Sequence, residues 1–134
     1  MFVDACAIVS ITTREPSAAD YELALNGADD PFTSALAAWE ATIILTRPDK
    51  LACSLRLSLT AVLRWLDASG VDLREVGTPR EVLQHAVEVA DRHGLGKRVL
   101  SNFDCFHYAH AKSARVPLLT LDRLLRETDV QTLP

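Results

Sequence analysis

Apolar residues in this chain fall into blocks whose length and spacing separate strands from helices. Phe2-Val3 is a short apolar run closed by Asp4, and Pro117 to Leu121 is another closed by Asp122. Short continuous apolar runs bounded by polar residues predict strands buried on both faces. Residues 1–4 therefore read as a strand, followed by a helix from Ala5 to Thr13 that Glu15-Pro16 breaks. Ser17-Ala18-Ala19-Asp20 has the spacing of a capping box and predicts a short helix through Asn26, stopped by Gly27. Phe32-Thr33 predicts a brief strand, and Ser34 to Thr46 a nearly all-apolar helix ended by Arg47-Pro48.

Leu51 to Ala68 is ambiguous at its start. Leu51, Cys53, Leu55, Leu57 and Leu59 alternate like a strand, whereas Leu55, Leu59, Val62, Leu63 and Leu66 follow the helical period. The length favours a helix, ended by Gly70, with a short strand over Val71–Leu73. Thr78-Pro79-Arg80-Glu81 unites an N-cap, a proline at the first helical position and a capping glutamate. The helix it opens carries Val82, Leu83, Ala86, Val87 and Ala90 on one face and ends at Gly94. A loop follows, then a helix capped by Ser101 and running to about Ala114, the strand over 117–121, a short helix after Asp122, and an extended piece over Val130–Leu133. Strands alternating with helices predict an α/β layered domain with a mainly parallel sheet. In such sheets ligands bind beyond the carboxyl ends of the strands, so Asp4 and Asp122 face one crevice if their strands are neighbours.

Composition narrows the function classes. The chain has 134 residues, 49% of them hydrophobic and 24% charged, which suits one globular domain over residues 1–134. No apolar run approaches ~18 residues, so no membrane span is expected. Asp4 precedes any Lys or Arg, so no secretory signal is expected either, and the cytosol is the default compartment. Cys6, Cys53 and Cys105 form no CxxC cluster and read as reduced thiols. A formal net charge of −4 excludes a protein that holds nucleic acid by bulk attraction. It leaves room for one that reaches phosphate through a bound cation.

Four carboxylates carry the candidate chemistry. Asp4 is the only formally charged residue among the first thirteen, Glu40 the only one between Asp30 and Arg47, and Asp104 the only one between Arg98 and Lys112. Asp122 closes the apolar run already described. An unpaired carboxylate in apolar surroundings is costly, and a shared cation would resolve all four at once. Oxygen donors of this kind suit Mg²⁺ or Mn²⁺, and two such ions ~4 Å apart activate water and stabilise a leaving oxygen at a phosphodiester. Simpler roles stand beside that one. Asp4 and Asp122 have the positions of helix N-caps, and Asp104 is three residues after Ser101, as in a capping box. Glu40 could look outward from a narrow polar stripe.

Together these residues form a recognisable order. Phe-Val-Asp-Ala at 2–5, Thr-Ser-Ala-Leu through Glu40, Asn-Phe-Asp-Cys with Tyr-Ala and Ala-Lys at 102–112, and Leu-Leu-Thr-Leu-Asp-Arg at 118–123 resemble PIN-domain ribonucleases, especially VapC-type toxins of bacterial toxin–antitoxin pairs. The resemblance implies a three-layer α/β/α sandwich and a Mg²⁺- or Mn²⁺-dependent endoribonuclease, with Asp4, Glu40, Asp104 and Asp122 as catalytic, metal-binding carboxylates. It also implies a homodimer held by a cognate antitoxin, which alone contacts operator DNA. Cys6 stands where the family usually has Ser or Thr, and Phe103 where it usually has Gly. Asn102 matches a polar position often near the site.

Lys97, Arg98, Lys112 and Arg123 adjoin the third and fourth motifs and are the candidate RNA-binding cations, each otherwise a solvated surface charge. His85, His93, His107 and His110 read as structural or exposed. His107 and His110 are spaced i, i+3 on one helix without a third ligand nearby in sequence. Trp39 and Trp65 read as core or interface. A phosphate-accepting receiver domain lacks its Lys after the later strand, a dehalogenase-type phosphatase lacks its second Asp because Cys6 occupies that place, and a dinucleotide-binding module lacks its Gly-rich loop. The remaining alternative is a PIN-like domain that acts through protein contacts alone.

Overall fold

A computed structural model describes residues 1–96 and 99–134. The order of elements is β1 (Phe2–Val3), α1 (Ala5–Thr13), α2 (Ala18–Asn26), β2 (Phe32–Thr33), α3 (Ala35–Leu45), α4 (Leu55–Ser69), β3 (Asp72–Leu73), α5 (Pro79–His93), α6 (Asn102–Ala114), β4 (Leu118–Leu119), a 3₁₀ turn (Leu125–Glu127) and β5 (Thr132–Leu133). The sheet runs β3-β2-β1-β4-β5 and every pairing is parallel. From β1 the chain first builds outward through β2 and β3, then returns to β1's other edge with β4. The order therefore reverses between β1 and β4, where an open parallel sheet leaves a crevice.

Side-chain alternation along the strands makes the chain three-layered. Phe2 and Leu118 point into a core with Val82, Ala86 and Val89 of α5 and Cys105, Tyr108 and Ala109 of α6. Their neighbours Val3 and Leu119 point the other way, into Ile8 of α1, Tyr21 of α2, Leu45 of α3 and Val62 and Leu66 of α4. This is the α/β/α sandwich with a parallel central sheet. Helix α3 gives Ala37 to the first core and Ala38 and Ala41 to the second. It lies between the layers and so comes against α6.

Local capping follows the sequence at most helix starts. Thr78 and Glu81 close a reciprocal box at α5, with Glu81 N–H donating to Thr78 Oγ1 at 3.2 Å and Thr78 N–H to Glu81 Oε2 at 2.8 Å. At Gly77 (φ 83°) a Cβ would stand 2.7 Å from Ser113 Cβ, so only glycine lets the loop after β3 seat directly on α6.

Three expectations are corrected. Ser17 makes no side-chain cap, because its own backbone is helical and its hydroxyl pairs with Ser10 Oγ at 2.8 Å. The helix favoured over Leu51 to Ala68 forms, but it starts at Leu55 rather than Leu51. Ser54 caps α4 by accepting from Leu57 N–H at 3.3 Å, so the helical period takes over at Leu55. On α5 the buried stripe is Val82, Ala86 and Val89, while Leu83 and Val87 are exposed, because α6 covers only one side of the apolar face. Among the described residues no helix is long and apolar enough to cross a membrane.

Candidate metal centre

Asp4 leaves the carboxyl end of β1 at the point where the strand order reverses. It caps α1, and its carboxylate is almost wholly buried. Thr120, the residue after β4, donates its hydroxyl to Asp4 Oδ2 at 2.6 Å, and the thiol of Cys6 donates to the same oxygen at 3.0 Å. Cys6 N–H donates to Oδ1 at 3.4 Å. Behind this group, Tyr21 OH lies 3.1 Å from Cys6 Sγ and accepts from Leu121 N–H at 2.9 Å, tying α2 to the loop after β4.

The other half of the site comes from α3 and α6. His107 is fully buried, with Nδ1 2.9 Å from Asp4 Oδ1 and Nε2 3.3 Å from Glu40 Oε2. Both ring nitrogens lack an aligned hydrogen bond, so these are charge contacts between an imidazole and the two carboxylates it separates. Glu40 reaches this point because α3 lies against α6 between the two layers. A helix position that sequence alone left either outward or inward is turned inward by that packing.

The electrostatics are strongly coupled. Burial pushes the Asp4 carboxyl up, but His107, Thr120 and Cys6 outweigh it and hold the carboxyl at about 2. Burial disfavours a charged His107, yet Asp4, then Glu40 and Asp104, outweigh burial and raise its pKa. Burial raises Glu40 to about 7, with His107 opposing and the Asp4 and Asp104 charges adding to the rise. Burial and then the Asp4 charge push the Cys6 thiol well up, so Cys6 serves as a neutral donor.

The donor set fits a divalent ion. One ligand atom each from Asp4, Glu40 and His107 lies within 4.8 Å of the others, and buried ring nitrogens without aligned partners are available. One feature opposes easy occupancy. Three donors (Cys6 N and Sγ, and Thr120 Oγ1) already engage a carboxylate that offers about four lone-pair positions, and the His107 ring stands against it at 2.9 Å.

The remaining expected residues are distributed as follows. Asp104 Oδ2 accepts from Ser101 N–H at 2.6 Å, and Asp104 N–H donates to Ser101 Oγ at 3.1 Å, a full capping box. Its charge is nevertheless felt at Glu40 and His107. Asp122 Oδ1 accepts from Leu124 N–H at 2.8 Å and Leu125 N–H at 3.2 Å, while Asp122 N–H donates to Thr120 Oγ1 at 3.0 Å. Both acids stand outside the group of three. Lys112 is drawn to Asp129 Oδ2 at 2.7 Å, eight residues along α6 from Asp104, roughly 12 Å at 1.5 Å per residue. Arg123 is exposed and pairs with Glu127 at 3.5 Å, and Asn102 is exposed at the start of α6. Lys97 and Arg98 lie outside the described residues. His107 is the residue that sequence reasoning weighed only with His110 and read as structural or exposed. Its signal was its place three residues after Asp104, on the same side of α6.

The model of the PIN domain family matches residues 1–131. The chain belongs to the PIN domain family. No curated protein sequence matches it. Among solved structures, it is similar to the Mycobacterium tuberculosis toxin VapC20, which cleaves the sarcin–ricin loop, with a TM-score of 0.71 and 19% identity over 99% of this chain and 98% of that one. It is also similar to a Pyrobaculum aerophilum protein, with a TM-score of 0.61 and 23% identity over 98% of this chain and 81% of that one. At these identities the likeness is one of fold. It agrees with the PIN architecture, whose crevice is where Asp4 meets Glu40 and His107.

Proposed function

We propose that this PIN domain is a divalent-metal-dependent endoribonuclease and the toxin of a toxin–antitoxin pair. The observation that carries the reading is the convergence of Asp4, Glu40 and His107 at the strand-order reversal of a PIN fold. Asp4 and Glu40 would hold the ion, with His107 beside them and Asp104 and Asp122 adding charge at the rim. Carboxylate oxygens suit Mg²⁺ and Mn²⁺. A bound ion of this kind supplies Lewis acidity at the phosphate and lowers the pKa of an attacking water. The protein keeps Asp4 ionised and fixes its rotamer through Thr120 and Cys6, while His107 holds Glu40 opposite it. Arg123, together with Lys97 and Arg98, would guide the phosphate backbone. Lys112 would do so only after leaving Asp129.

The likeness to VapC-type toxins supports an antitoxin partner, a homodimer, contact with operator DNA only through the antitoxin, and a cytosolic setting. An apolar surface is present for a protein partner. Trp39 of α3 and Leu55 and Leu59 of α4 line an open groove of about 410 Å³ with Arg56 at its edge. Leu51, Leu57 and Leu63 extend the exposed apolar area.

A second reading, a PIN domain that acts through protein contacts alone, is favoured by the Cys6 and Thr120 donors already engaged with Asp4. Digestion of RNA with Mn²⁺ or Mg²⁺ by the parent, Asp4→Asn and Glu40→Gln decides between them. The nuclease reading expects cleavage by the parent and a loss of at least about 100-fold in each variant, the scale on which removing electrostatic stabilisation slows an enzyme. Equal products from all three would end it.

A further inference from the structure

A second cavity lies about one helical turn from Glu40 along α3 and from His107 along α6, and nothing in the nuclease reading uses it. It has a volume of about 340 Å³ and is walled by Leu36 of α3, Phe106 of α6, and Val76 and Val82 at the entrance to α5, with Glu75 and His110 on its polar side. Leu36 precedes Glu40 by four residues and His110 follows His107 by three, so both walls continue the faces that build the metal centre. The His107 and His110 rings rest on the same Phe2 ring, with centroids at 5.9 Å and 5.6 Å. One helical turn is ~5.4 Å, so the cavity is within a nucleotide's reach of the centre.

Its chemistry is that of a site for a flat heteroaromatic ring. Phe106 is half-buried and pairs with no other ring among the described residues, which leaves it free to stack. Stacking on an aromatic side chain is how proteins commonly hold an unpaired RNA base. The polar side is built rather than incidental. His110 is 4% exposed, its Nε2 lies 3.2 Å from Glu75 Oε2, and its Nδ1 is buried without a hydrogen-bond partner. Glu75 is fixed from the opposite side, because its Oε1 accepts from Ala35 N–H at 3.0 Å at the start of α3. Each Glu75 oxygen keeps a second lone pair, so the carboxylate can accept two parallel N–H donors. An aliphatic side chain from a protein partner would fill the apolar walls and leave this carboxylate–imidazole edge unused.

We propose that this cavity holds an unstacked guanine of the RNA substrate, next to the scissile phosphate. Guanine alone among the four bases offers two adjacent N–H donors, the ring N1–H and the exocyclic amino group, to one carboxylate. Leu36, Val76 and Val82 pack the ring against Phe106, and Glu75, steadied by His110, reads its edge. The proposal rests on the nuclease reading for the identity of the polymer, but the pocket's base preference can be measured without any cleavage.

The test is calorimetric titration of the full chain with the four ribonucleoside 5′-monophosphates, which contain no phosphodiester to hydrolyse, repeated with Phe106→Ala and Glu75→Gln. The amide of Glu75→Gln keeps an acceptor for the α3 start, and melting curves verify that both variants are folded. The expected result is GMP binding about tenfold tighter than UMP, CMP or AMP, in line with one good bidentate base contact. Phe106→Ala should weaken all four, and Glu75→Gln should remove the preference for GMP. Equal affinity for the four nucleotides, GMP binding unchanged in both variants, or no binding at millimolar concentration, as expected if a protein side chain is the true occupant, would overturn the proposal. Cleavage sites mapped on a mixed-sequence RNA separate the two readings. GMP selectivity without cleavage keeps the pocket and removes the nuclease. Cleavage indifferent to guanine and unaltered by Phe106→Ala keeps the nuclease and removes the pocket.

Discussion

His107 Nδ1 stands 2.9 Å from Asp4 Oδ1, and the same ring reaches Glu40 at 3.3 Å. One buried imidazole thus separates two carboxylates that would otherwise repel each other. Removing one partner of a buried ionic group leaves the other uncompensated, typically at a cost of about 3–5 kcal/mol. Metal-free His107→Ala is therefore expected to lose stability on that scale in urea unfolding. Added Mn²⁺ should recover more stability in the variant than in the parent, because the ion then replaces the missing cation. A variant as stable as the parent would mean that the contacts carry no weight.

The same arrangement sets a pH dependence. Glu40 is raised from 4.5 to about 7, and His107 is raised above 6.5. Groups whose folded pKa is raised contribute stability that is complete below their unfolded pKa and is lost as pH rises through the folded value. Metal-free protein should therefore lose thermal stability as pH rises from about 4.5 through 7 and above. Asp4 acts oppositely, being depressed to about 2, so its contribution is present above its unfolded value of 3.8 and fails only in strong acid. Melting temperatures between pH 4.5 and 8.5, with Glu40→Gln flattening the slope, check the assignment.

Thr120 holds Asp4 with a 2.6 Å hydrogen bond from a fully buried hydroxyl. Thr120→Val keeps the shape, removes the donor to Asp4 and takes the acceptor from Asp122 N–H, and hydrogen bonds to charged groups are worth about 1.5–3 kcal/mol. A loss in that range is expected on chemical unfolding, with Thr120→Ser restoring most of it. If valine is neutral, the hydroxyl does not position the carboxylate.

Asp104 has two roles to separate. Ser101→Ala removes the reciprocal cap and should cost about 1 kcal/mol with RNA cleavage unchanged. Asp104→Asn at a temperature where it remains folded should instead lose cleavage by at least about 100-fold if its charge serves the centre. Matching activities in the two variants would reduce Asp104 to a capping residue.

Much of this was legible along the chain. The two apolar runs gave adjacent parallel strands because a strand buried on both faces must be apolar at every position, and Phe2/Val3 and Leu118/Leu119 do divide between two cores. The boxes at Thr78 and Ser101 formed as their spacing requires, since a cap needs only residues three apart. The isolated charges, with the motifs around them, pointed to the PIN family. Asp4 could be placed at the crevice because its strand's end decides its position.

Tertiary packing decided the rest. Glu40 and His107 sit on different helices, and their faces are set by how α3 crosses α6, a relation that no local spacing encodes. Leu83 and Val87 follow the helical period and yet stay exposed, because the period states which residues share a side and not whether anything covers it. Ser17 had the capping pattern but met Ser10 instead. The sequence by itself determined the order of elements, the caps at Thr78 and Ser101 and which carboxylates stand alone among apolar residues. Only the folded chain decided that two of those carboxylates meet across a buried histidine, because their separation depends on long-range contacts between layers.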